Sequence, residues 1–246
     1  MEFENRTAIV TGAGSGMGRL TSERLAEQGA NVVVVEVNAE AAEAVVTSIR
    51  SKGGAAIASV TDVRDYSQVK AAVDLAIDTY GAIDLIINCA GGASARVWGR
   101  SQGFKDLDIE VLDWGIDVNF RGPIYFARAA LDHMLQRGKG VIINLGSVEG
   151  VTGSGAAEYG ASKAGMIGLT KSLALIGAPH GVRACCVSPG PVLTRPAMAN
   201  MKTRVGRAAE PAEIVDLIVY LCSDKAAFIT GQNYTIDGGR SIGGPE

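Results

Sequence analysis

The sequence predicts an α/β fold: a doubly wound, mostly parallel sheet of seven strands with helices on both faces. Three observations point there: seven short β-rich runs, helical periodicity between them, and a glycine cluster directly after the first run. The runs are Thr7 to Val10, Asn31 to Glu36, Ala55 to Val60, Ile83 to Asn88, Gly140 to Leu145, Arg183 to Val187 and Tyr234 to Ile236. Several are nearly continuously apolar rather than alternating, so both faces of the sheet need cover. Ligands on such a sheet bind beyond the carboxyl ends of the strands, and chemistry is expected just after each run.

With 246 residues, 47% of them hydrophobic, the chain can bury a large core. No Pro/Ser-rich or charge-rich stretch divides it, which predicts one domain over residues 1–246. The net charge of -3, with both signs scattered, offers no basic face and argues against nucleic-acid binding. The acidic start, Met1 to Arg6, has no apolar signal core, and the most apolar run, Val32 to Val37, is interrupted by Glu36. Neither secretion nor a membrane span is expected, since a span needs roughly 20 apolar residues. Cys89, Cys185, Cys186 and Cys222 have no C-x-x-C spacing and no histidines clustered beside them. They read as buried reduced thiols in a cytoplasmic protein without a metal.

The first run leads into Thr11-Gly12-Ala13-Gly14-Ser15-Gly16-Met17-Gly18, after which a helical pattern starts at Arg19-Leu20. Glycines there let backbone approach a pyrophosphate, and the helix N-terminus offers free N–H donors. The spacing is G-x-x-x-G-x-G through Gly12, Gly16 and Gly18, with Ser15 and Met17 between them. Glu36, about 20 residues on, is placed to accept hydrogen bonds from the ribose hydroxyls of NAD and to repel the 2′-phosphate of NADP. Asp62, after the third run, is a candidate partner for the adenine amino group, and Val63 for packing on the ring. Small residues in Asn88-Cys89-Ala90-Gly91 let that backbone lie against a cofactor.

Tyr159 and Lys163 share a helix face at i and i+4. An ordinary tyrosine, titrating near about 10, is a poor base at neutral pH; a nearby ammonium and a positive nicotinamide both favour phenolate. Ser147, just past the fifth run, is placed to hold a substrate oxygen as it gains charge. By its pattern alone Asn119, inside the helical segment from about Leu107 to Gln136, is an ordinary amide.

Taken in order, Thr11 to Gly18, Asn88 to Gly91, Ser147, Tyr159 with Lys163, and Pro189-Gly190 closely resemble the short-chain dehydrogenase/reductase family, whose fold is Rossmann-type. The likeness runs to Ile236-Asp237-Gly238-Gly239. It implies that Tyr159 exchanges the proton, Lys163 lowers its pKa and binds the nicotinamide ribose, Ser147 orients substrate, and Asn119 positions a relay water. It also implies carboxamide contacts after Pro189-Gly190, from the Val192 backbone and the Thr194 hydroxyl, and a homotetramer with the Asn119 and Tyr159 helices at an interface. The chain departs from the family's N-N-A-G at Cys89, which removes a local hydrogen bond. Enoyl reductases of related fold space the tyrosine and lysine more widely, so the four-residue step favours alcohol/ketone chemistry.

The expected function is therefore NAD-dependent hydride transfer on a small secondary alcohol or ketone. An NADPH-dependent ketone reductase is opposed by Glu36, and a non-catalytic NAD-binding regulatory protein by the intact Ser147/Tyr159/Lys163 set. His133, His180 and Trp114 read as structural or solvated. The loop carrying Arg96, Trp98 and Arg100 should border the substrate space, where an arginine could bind an anion. Glu149 could face a polyhydroxylated substrate, and Leu193 to Gly206 reads as a short mobile lid.

Overall fold

A computed structural model describes residues 1–201 and 203–243 of the chain. Its centre is β1 (Thr7–Thr11), whose five residues are all buried. Around it lie β2 (Asn31–Glu36), β3 (Ala55–Val60), β4 (Leu85–Asn88), β5 (Gly140–Leu145), β6 (Val182–Pro189) and β7 (Asn233–Ile236). The order across the sheet is β3-β2-β1-β4-β5-β6-β7, and every neighbouring pair is parallel. The sheet is thus wholly parallel, and the strand order changes direction between β1 and β4.

Side-chain alternation divides the core in two. Ala8, Val10, Val32 and Val34 face one side with Leu25 of α1 (Gly16–Glu27), Val45 and Ile49 of α2 (Ala39–Ser51), and Ile214 and Ile218 of a late helix. Ile9, Val33 and Val35 face the other with Val69 and Val73 of α3 (Tyr66–Tyr80). Burial on both faces explains why these strands are continuously apolar.

After β4 come α4 (Ser94–Val97) and α5 (Ile109–Ile116), which edge the carboxyl end of the sheet. The expected continuous helix from Leu107 to Gln136 is interrupted: a single π-helical turn over Asp117–Arg121 separates α5 from α6 (Gly122–Arg137). Such wide turns are frequent at functional sites. The short α7 (Glu149–Thr152) follows β5 and leads into α8 (Ala157–Gly177), which carries Tyr159 and Lys163. Helix α9 (Pro211–Cys222) starts at the expected proline, with Glu210 and Glu213 forming a reciprocal cap. Among the described residues no helix is long and apolar enough to cross a membrane.

Candidate active site

A cleft of about 650 Å³ opens at the carboxyl edge of the sheet, where the order reverses. Gly12, Ser15, Gly16, Met17 and Gly18 line one end of it. Gly12 has a φ of 61°, and a Cβ there would stand 2.7 Å from the Ala90 Cα. Only glycine lets β1 and β4 converge so closely. Helices α2 and α3 are capped by Asn38 and Asp65, whereas the Ser15 side chain makes no capping bond on α1, whose first turn has no acidic residue. An uncapped helix end beside bare backbone suits a pyrophosphate. The residues present thus fit a dinucleotide.

Glu36 closes this end. One carboxylate oxygen accepts from the Gly14 N–H at 3.1 Å, and the other from the N–H groups of Val37 and Asn38 at 2.9 and 3.2 Å. The side chain therefore props the glycine turn as well as facing the cleft. Asp62 lines the cleft, but both its oxygens are engaged by the Arg64 guanidinium. That partner holds its carboxyl below the ordinary value. Val63 is buried and packs on Gly122, where a Cβ would stand 2.9 Å from the valine Cγ2.

Asn88 does not reach the cleft wall formed by Cys89, Ala90 and Gly91. Its amide is turned along the sheet and donates to Asn144 Oδ1 at 2.8 Å. Its own carbonyl oxygen is buried with no partner among the described residues. Asn119 is fully buried in the wide turn. Its amide nitrogen donates to the carbonyls of Gly92 and Gly115 at 2.9 and 2.8 Å, and its oxygen accepts from the Gly92 N–H at 2.9 Å. A Cβ on Gly91 would lie 2.4 Å from that oxygen. The side chain therefore fixes the strand-end loop from behind the cleft.

Ser147, Tyr159 and Lys163 come together in the same cleft. The Ser147 hydroxyl accepts from the Glu149 N–H at 3.1 Å, which fixes its place at the start of α7. Lys163 Nζ donates to the Leu145 carbonyl at 2.8 Å and stands 5.7 Å from the Tyr159 ring centre. Burial holds this ammonium down to about 8. Burial raises the Tyr159 phenol above its ordinary value, and Glu149 adds to the rise. Ser147, Arg96 and Arg195 pull it down.

Pro189, Gly190, Val192 and Thr194 line the wall after β6. Val192 bridges to Ala209, and the Leu193 N–H donates to the Ala209 carbonyl at 2.9 Å, so both ends of the expected lid are tied together. The Thr194 methyl lies opposite Gly16, 3.6 Å from where a Cβ would stand. Within this segment Lys202 lies outside the described residues, as do Gly244 to Glu246 of the tail.

Several side chains differ from their sequence expectation. Trp114 lines the cleft as well as packing on the core. Glu149 also lines it, but its carboxylate accepts from the Ser154 hydroxyl. Cys89 borders the cleft, its thiol pushed up to about 12 by burial; the other three cysteines are buried. Among the described residues no cluster of His, Cys, Asp or Glu could hold a metal. Arg195 and the buried Glu158, which accepts from Ser94, escaped the sequence reading. No local pattern announces either, because the elements facing them are distant in the chain.

A dinucleotide-shaped cleft containing a serine, a tyrosine and a lysine defines an oxidoreductase of the Rossmann class. The short chain dehydrogenase family profile matches residues 6–205, and the chain belongs to the short-chain dehydrogenase/reductase family. It is 37% identical over 245 residues to cyclohexanol dehydrogenase of Acinetobacter sp. (strain SE19), covering 96% of this chain and 95% of that one. It is 36% identical to cis-4-hydroxycyclohexanecarboxylate dehydrogenase of Sinomonas cyclohexanicum, covering 96% and 97%. A 3-oxoacyl-[acyl-carrier protein] reductase from Brucella melitensis with bound NAD superposes with a TM-score of 0.90 at 30% identity, covering 98% of this chain and 93% of that one.

Proposed function

We propose that the chain is an NAD-dependent alcohol dehydrogenase/ketone reductase acting on a small secondary alcohol or ketone, with residues 1–246 forming one dinucleotide-binding and catalytic domain. The observation that carries this reading is the convergence of Ser147, Tyr159 and Lys163 in the cleft that begins at the glycine turn. The nicotinamide, when bound, accepts or supplies the hydride. Ser147 holds the substrate oxygen by its hydroxyl. The Tyr159 phenol gives its proton to that oxygen in reduction and, as phenolate, takes it in oxidation. Lys163 binds the nicotinamide ribose, its ammonium already aimed by the Leu145 carbonyl. Asn119 positions the loop at Gly92 and, by family likeness, a relay water.

Gly12 to Gly18 take the pyrophosphate, with Asp62, Val63, Ala90, Gly91, Pro189, Gly190, Val192 and Thr194 as the remaining contacts. Glu36 supports NAD over NADP, because its fixed carboxylate would meet a 2′-phosphate with like charge. Arg64, the cation on that side, is already paired with Asp62. The NAD bound to the Brucella reductase accords with this choice. The cyclohexanol, cis-4-hydroxycyclohexanecarboxylate and meso-2,3-butanediol dehydrogenases among the relatives support a secondary alcohol as substrate. By family likeness the protein is proposed to be a cytoplasmic homotetramer.

The test is titration with NAD and NADP, followed by turnover assays on a panel of alcohols and ketones. The expected result is NAD-linked turnover. Preference for NADP would overturn the cofactor choice, and binding without turnover would mark a regulatory protein.

A further inference from the structure

Two arginines from distant parts of the chain line the cleft beside Tyr159. Arg96 stands on α4, after β4, and Arg195 follows β6 just beyond Thr194. Both act electrostatically on the Tyr159 phenol, and Arg195 acts on Arg96. Both guanidiniums border the same cleft as Ser147 and Tyr159, and the Arg96 guanidinium is packed over Gly92.

Neither is neutralised by the protein. Among the described residues, Arg6, Arg64, Arg100, Arg137 and Arg207 each pair with a carboxylate, but Arg96 and Arg195 form no ion pair. Arg100, the other arginine of the loop, is taken by Asp108. The remaining hydrogen-bond contact of Arg195 is the Met198 sulfur at 3.8 Å, a weak acceptor. Glu149 is the nearby anion in the cleft, and its carboxylate is turned to Ser154. Burial and the like charge of Arg195 both disfavour the charged Arg96. Two unneutralised guanidiniums in one cleft repel each other until an anion lies between them. A planar fork is the side chain best matched to a carboxylate.

This inference rests on the dehydrogenase reading and names its substrate class. We propose that the substrate is a hydroxy acid or the corresponding oxo acid, with its carboxylate held by Arg96 and Arg195 and its reacting oxygen at Ser147 and Tyr159. In oxidation the carbinol carbon gives its hydride to the nicotinamide dinucleotide and the hydroxyl gives its proton to Tyr159. The C–H and O–H bonds break, a C=O bond forms, and the carboxylate is unchanged. Neutral alcohols lack the group that the two arginines address.

The test uses matched probes: 3-hydroxybutyrate against 2-pentanol, and 4-hydroxycyclohexanecarboxylate against 4-methylcyclohexanol. Each is assayed for turnover with NAD and with NADP, and for binding by calorimetry to the enzyme loaded with the oxidised cofactor. The acid of the better-used pair should exceed its neutral partner in kcat/KM by about tenfold to a hundredfold, the range for hydrogen bonds to a charged group. In Arg96→Gln and Arg195→Gln this ratio should fall toward unity, chiefly through KM for the acid; a purely structural loss would lower both members alike. Arg96→Lys, which keeps the charge without the fork, should fall between, and serves if the glutamine variant fails to fold. Equal use of acid and neutral alcohol overturns the carboxylate seat and leaves the dehydrogenase reading standing. Arginine-dependent binding of the acid without turnover supports the seat and overturns the dehydrogenase reading. An acid that is neither bound nor turned over overturns the seat.

Discussion

Lys163 Nζ donates a 2.8 Å hydrogen bond to the carbonyl oxygen of Leu145, the last residue of β5. This bond, with that from Asn144 to Thr170, ties α8 to β5, and it does so two positions before Ser147. It also partly compensates an ammonium that is otherwise buried.

The linkage can be measured. The folded pKa of Lys163, about 8, lies below its ordinary 10.5, so the unfolded chain binds this proton more tightly. Stability contributed by the group is therefore suppressed below about 8 and recovers as pH rises toward 10.5. Relative to Lys163→Met, the wild-type protein should gain on the order of 3 kcal/mol across that window. Urea titrations of both proteins at several pH values check it; parallel profiles would contradict the assignment.

Tyr159→Phe removes one hydroxyl from a side chain that otherwise keeps its packing. Turnover should fall by at least about a hundredfold, the lower bound for a lost general acid/base. Cofactor affinity, read by fluorescence titration, should stay within about twofold, since the phenol proton takes no part in holding the pyrophosphate. Activity close to wild type would assign the proton to another group.

Glu36→Ala deletes both the proposed ribose acceptor and the anchor of the Gly14, Val37 and Asn38 N–H groups. The kcat/KM for NAD should drop about tenfold or more, with a smaller loss or a gain for NADP. The measurement is the ratio of the two efficiencies. An unchanged ratio would separate Glu36 from cofactor choice.

Asn119→Ala leaves the Gly92 N–H, the Gly92 carbonyl and the Gly115 carbonyl without their side-chain partner. The loss should amount to about 1–3 kcal/mol per group left buried and unpaired, with water recovering part of it. Denaturant unfolding should show the destabilisation, and turnover should fall with the loop position. Asn119→Asp, which turns a buried oxygen toward the Gly92 and Gly115 carbonyls in place of the donor, should be at least as destabilised as Asn119→Ala.

Much of this was legible in the sequence. The continuous apolar runs marked a sheet covered on both faces, and the glycine turn, Glu36, Ser147, Tyr159 and Lys163 all stand at strand ends or on the helix where their spacing put them. What local spacing could not reveal depends on contacts between segments far apart. The Leu107 to Gln136 pattern gives no sign of a wide turn, because Asn119 earns its place through Gly92 on another segment. Asn88 is likewise engaged by Asn144 across the sheet. Arg195 gains meaning only from Arg96, which the chain supplies about a hundred positions earlier. The direction of the Tyr159 shift follows from burial, which a helical i and i+4 spacing does not report.

The parallel pairing of every strand bears on how the protein comes to exist. Ala8 pairs with Leu85 and Val141 with Arg183, so each ladder must wait for a long crossover to be laid down. Contacts this distant in sequence slow folding, because loop closure precedes any reward from pairing. The cleft needs β1 and β4 side by side, and is therefore among the last features to be assembled. During refolding, helical signal should return well ahead of catalytic competence, leaving an interval in which apolar strand edges are open to other chains.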